Sequence, residues 1–127
     1  MILLYVALGS ALGGVLRYLV GAAVQRPGHY PVGTLLVNVA GSFMLGLVLR
    51  LATETTAVTP QARAFLAVGL CGGFTTFSTF SWEVLSLAEH GAWFRAGGYA
   101  LASVILSLAA CIAGMALARQ LGEGLLS

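Results

Sequence analysis

Lysine and aspartate are absent from this sequence. Six arginines and four glutamates leave only 8% of it charged, where an ordinary soluble domain carries about 25%. A surface that tracks a nucleic-acid backbone needs clustered cations, and scattered arginines do not supply one, so no nucleic-acid partner is expected. Cysteine is scarce as well. Cys71 and Cys111 both lie within apolar stretches, without CxxC or Cys/His spacing, which argues against a disulfide framework or a zinc site and leaves them as small packing residues. The two histidines, His29 and His90, fall in loops with nothing at triad spacing. No catalytic constellation is visible, and the chain is not expected to be an enzyme.

What is present is apolar: 59% of the 127 residues, more than a soluble domain of this size could cover with polar surface. The chain reads as a single all-α integral membrane domain. QRPGHYP at Gln25–Pro31, Arg50 followed by TETTAVTP, and the segment from Glu89 to Arg95 interrupt the apolar runs. Four crossings result, at 2–24, 33–51, 62–88 and 96–119, each close to the roughly 17–25 residues that a spanning helix needs. A cleaved signal peptide is a rival for the first run, but no basic residue precedes it and Arg17 sits within it. Gly9, Gly13 and Gly14 in the first span, and Gly41 and Gly46 in the second, are placed to let helix backbones approach. Arg50, Arg63 and Arg119 flank the face that carries the termini and Arg26 and Arg95 the other, so the positive-inside rule selects almost no orientation.

Polar residues recur inside the spans, where they are costly. Thr34, Asn38 and Ser42 share one face of the second helix, and Tyr99, Ser103 and Ser107 one face of the fourth. All can donate a hydrogen bond and none is acidic, a chemistry suited to a small anion and not to a cation. Arg17 is the only intramembrane positive charge, placed either to attract anions or to snorkel to the interface. Glu83 has three readings: a switch, a partner for Arg17, or an interfacial carboxylate. The third span holds GGFTTFSTFS at Gly72–Ser81, two glycines and five hydroxyls among three phenylalanines. Gly72-Gly73 followed by Thr75-Thr76 is expected to break this helix near 72–76, freeing carbonyls for a cation and turning hydroxyls toward a pore. Phe77 and Phe80 lie on nearly one face, with Thr76 one turn from Phe80, and a phenyl edge can contact a dehydrated anion.

These motifs are GGxxRY at Gly13–Tyr18, GTLLVNxxGSF at Gly33–Phe43 and GxCGGFTTFSTFSWE at Gly69–Glu83, and across its length the chain resembles the Fluc (CrcB-like) fluoride channels. The resemblance implies a dual-topology homodimer, two copies inserted antiparallel in the inner (plasma) membrane, with two fluoride pores along the interface. It implies that Asn38 donates to fluoride and that the ring edges of Phe77 and Phe80 meet the ion. Thr34, Thr76, Tyr99, Ser103 and Ser107 would be the polar track, and Arg17 would draw anions to the entrance. A structural sodium ion at the dimer centre would be held by the carbonyls of Gly72 and Thr75.

Two other functions compete. A small proton-coupled multidrug exporter needs a titratable carboxylate facing its substrate, in that class on the first helix, where this chain has Arg17 and no acid. A non-transporting assembly subunit would be served by glycine-lined helices but leaves both polar stripes unexplained.

Overall fold

Apolar runs without internal water must satisfy their own backbone, and an α-helix does so within a single segment. The computed structural model describes residues 1–28 and 30–126, and every regular element among them is helical. His29 therefore lies outside the described residues. Helix α1 is Ile2–Val24 and α2 is Val32–Glu54. Helix α3 covers 60–74, running through Pro60–Arg63, a π-wound stretch at Ala64–Cys71, and Gly72–Phe74. Helix α4 is Phe77–Glu89 and α5 is Trp93–Leu126.

Four stretches are long and apolar enough to cross a membrane: Ile2–Val24, Val32–Glu54, Pro60–Glu89 and Trp93–Leu125. The third is α3 and α4 together. Little of each stretch is buried within the single chain, as befits helices facing lipid or another copy. The 34 residues of α5 make a rod about 51 Å long, well beyond the roughly 30 Å hydrocarbon core.

The turns are built from capping groups. Gln25 ties α1 to α2, its Nε2 donating to the Tyr30 carbonyl at 3.2 Å and its Oε1 accepting from the Gly33 amide at 3.0 Å. Thr59 caps α3, accepting from the Ala62 amide at 3.0 Å, with Pro60 in the first turn where a missing N–H costs nothing. After α4 the chain reverses at Gly91, whose φ of 79° is left-handed. The Gly91 and Ala92 amides close on the carbonyls of Ala88 and Leu87 at 3.0 and 2.9 Å.

Two helix pairs form the body, α1 against α3 and α2 against α5. Each is drawn together at glycine. A Cβ on Gly13 would collide with the Leu70 carbonyl, and one on Gly114 with the Phe43 carbonyl. Gly9, Gly13 and Gly46 sit at such contacts and Gly41 makes room for the Thr75 side chain; Gly14 does neither, since a Cβ there would meet nothing within 4 Å. On α3 the partners are Gly69 and Gly73, packed on the Val6–Gly9 and Ser10–Gly14 stretches of α1.

The third span is broken, but not by its glycines. Gly72 and Gly73 are helical, and the extended residues are Thr75 (φ −85°, ψ 156°) and Thr76 (φ −149°, ψ 120°). Gly73 instead gives α1 room to approach. The interruption follows from what Asn38 and the threonine hydroxyls do to the backbone.

Candidate functional site

At the break, side chains replace the helical ladder. Asn38 on α2 pairs with Thr76 at both ends of its carboxamide: Nδ2 donates to the Thr76 carbonyl at 3.1 Å, and Oδ1 accepts from the Thr76 amide at 2.8 Å. Thr76 then caps α4, its Oγ1 accepting from the Thr79 amide at 3.2 Å. Thr75 closes α3 by donating Oγ1 to the Cys71 carbonyl at 2.9 Å. Arg17 donates Nε to the Gly73 carbonyl at 3.1 Å.

The arrangement releases carbonyls at the end of α3, those of Gly72 and Thr75 among them. In an unbroken helix those of Gly72 and Thr75 would accept from the amides of Thr76 and Thr79. Here those amides are bound by Asn38 Oδ1 and Thr76 Oγ1. Gly72 is exposed on the single chain, and a Cβ there would meet nothing within 4 Å. Neutral carbonyl oxygens at a helix C-terminus and on unwound backbone suit a hard monovalent cation, so these residues fit one. Among the described residues no cluster of three or more His, Cys, Asp or Glu side chains offers an alternative metal site.

Beside the break lies an open groove of about 410 Å³ between α2, the third span and α5. Asn38, Thr76, Phe77, Phe80, Ser103 and Ser107 all line it, as does Ser42 from the α2 stripe. The hydroxyl of Ser103 is buried without a hydrogen-bond partner. A buried orphan donor asks for a ligand, an ion or a water, because leaving it unpaired costs about 1–3 kcal/mol. Phe80 sits between Phe77 and Tyr99, with ring centroids 5.5 and 5.4 Å away.

Thr34 and Tyr99 do not line that groove. Tyr99 is fully buried and its hydroxyl donates to Glu83 Oε1 at 3.3 Å. Thr34 borders a second cavity of about 640 Å³, together with Arg17, Thr76, Thr79 and Glu83. Thr76 lines both spaces. Arg17 and Glu83 share a cavity without forming an ion pair: Arg17 is tied to Gly73, and the ion pair found among the described residues joins Arg50 to Glu54 on α2.

Sequence patterning missed Tyr30 and Arg95. Tyr30 stacks edge-on against Tyr99 at 5.5 Å, and the Arg95 guanidinium lies 5.7 Å from the Tyr30 ring centroid. Tyr30 lies in a proline-flanked loop segment and Arg95 at the border of an apolar run, so neither belonged to a periodic face. The available signal was compositional, an aromatic and an arginine at the same membrane border.

Fold and site define a small multi-pass membrane protein, four crossings around a helix break with a donor-lined groove open along one side. Residues 4–115 match the family model described as CrcB-like protein, Camphor Resistance (CrcB), and the chain belongs to that family. It is similar to the fluoride-specific ion channel FluC of Agrobacterium fabrum (strain C58), 47% identical over 118 residues that cover 91% of this chain and 94% of that protein. The FluC of Rhizobium meliloti (strain 1021) is 46% identical over 121 residues, covering 94% of this chain and 97% of the relative. The FluC of Anaeromyxobacter dehalogenans (strain 2CP-1) is 47% identical over 121 residues, covering 94% and 96%.

Proposed function

We propose that this chain is a passive fluoride channel of the inner (plasma) membrane, built as an antiparallel homodimer with two pores. Similarity over nearly full length to proteins named fluoride-specific ion channels supports the substrate. The observation that carries the reading is the groove, where a buried hydroxyl without a partner stands among neutral donors and phenyl rings.

Fluoride holds its water tightly, so a pathway must replace that water without trapping the ion. Ser103 and Ser107 offer hydroxyls, Asn38 keeps one amide hydrogen beyond the one given to Thr76, and Phe77 and Phe80 present ring edges with partial positive charge. Thr34 and Thr76 continue the hydroxyls along the second cavity, and Tyr99 packs against Phe80 behind the groove. Phe77 is 79% exposed on the single chain, and a second copy would turn the open groove into an enclosed path. A structural sodium ion would be held by the carbonyls of Gly72 and Thr75, supplying a positive charge that joins the two copies at the break.

Hydrogen fluoride crosses membranes from acidic surroundings and ionises inside. A passive pathway lets the inside-negative potential drive the anion out. A proton-coupled exporter is disfavoured because α1 carries no acid and Glu83 is already hydrogen-bonded by Tyr99. The test is growth of fluoride-hypersensitive bacteria in acidic, fluoride-containing medium. Expression of the chain should restore growth, Phe80→Ala should restore it poorly, and no rescue by a membrane-inserted wild-type chain would contradict export.

A further inference from the structure

We infer, on the fluoride-channel reading, that Arg95 seated on the ring of Tyr30 is an anion-collecting residue at the mouth of the pathway. Arg17, the other cation close to the site, has its Nε engaged by the Gly73 carbonyl within the break. Arg95 is exposed at the start of α5, and no carboxylate lies within 4.0 Å of it among the described residues. Its neighbour is a ring, with the guanidinium carbon 5.7 Å from the Tyr30 centroid. The distinction matters electrically. A carboxylate in direct contact would largely cancel the arginine's field, whereas an aromatic face steadies the side chain and leaves its charge unpaired.

Packed rings run from the seat of that charge to the groove. Tyr30 meets Tyr99 edge-on at 5.5 Å, and Tyr99 meets Phe80 at 5.4 Å. Burial pushes the Tyr30 phenol above its usual range, with Arg95 opposing, so the seat is an uncharged ring. Arg95 also lines a cavity of about 540 Å³ with Gln25, Trp82, Glu83, Ser86 and His90. A carboxylate in the wall of an anion's vestibule repels it, and Arg95 is the arginine lining the same cavity that offsets Glu83. A charged cleft raises the local concentration of its counter-ion, and the effect falls as salt screens it.

The experiment measures initial fluoride efflux from liposomes holding the purified protein, with fluoride far below saturation so that capture limits the rate. Ionic strength is set by the salt of an anion too large for the pore. Arg95→Gln should lower the rate roughly twofold to fivefold at about 0.01 M salt, the scale of one unit charge acting across a few ångströms of water. The deficit should vanish near 1 M, where the screening length falls to about 3 Å. Arg95→Lys, which keeps the charge, should restore most of the rate. An unchanged rate for Arg95→Gln at low salt, or a deficit as large at high salt as at low, would overturn the inference while a fluoride-conducting wild type leaves the channel reading intact. A wild type that passes no fluoride would overturn both.

Discussion

Asn38 engages both ends of its carboxamide on one backbone residue, Thr76, and so holds the third span apart where a helix would otherwise continue. Replacing it with alanine leaves an amide and a carbonyl without partners in a partly buried place, at about 1–3 kcal/mol for each group left unsatisfied. Asn38→Ala should therefore lower the melting temperature of the detergent-solubilised protein as well as its fluoride efflux, and an unaltered melting temperature would remove the clamp role. Ser103 separates the two effects. Its hydroxyl satisfies nothing in the protein, so Ser103→Ala should leave stability unchanged or slightly raised while slowing efflux. A destabilised variant with undiminished efflux would make that hydroxyl structural. The spacing of Tyr99, Ser103 and Ser107 made this stripe legible in the sequence. Which hydroxyl lacks a partner was not, because that depends on groups contributed by other helices.

At the scale of helices, the two tight pairs depend on bare backbone. Gly13→Ala and Gly114→Ala each force a methyl into a carbonyl of the neighbouring helix, an overpacking that costs about 1–3 kcal/mol, whereas Gly14→Ala meets open space and should be silent. Thermal unfolding of the three variants checks this, and equal effects at Gly13 and Gly14 would contradict the packing. Four crossings were readable because lipid demands long apolar runs and the interruptions are polar or proline-rich. The break was readable in kind, from hydroxyls where lipid would not tolerate them. It falls at Thr75–Thr76, within the expected 72–76, but the part assigned to Gly72-Gly73 does not hold: both are helical, and a contact from Asn38, 38 residues earlier in the chain, holds the break open. The π-winding of Ala64–Cys71 has no counterpart in the composition of that segment, which is uniformly apolar.

For the whole molecule, near-equal arginine counts on the two faces accord with insertion in both orientations. If both occur, a protease added outside sealed vesicles should remove a C-terminal tag from about half of the chains; complete removal or complete protection would exclude mixed orientation. If the proposed dimer holds a cation at the Gly72 and Thr75 carbonyls, omitting sodium should lower its thermal stability, and equal stability in sodium-free buffer would argue against that cation. The most direct measurement is paired fluoride and chloride efflux from one preparation of liposomes containing the purified wild-type chain. Neutral donors meeting where two copies join should pass fluoride far faster than chloride, and equal rates for the two halides, or no flux of either, would contradict that account.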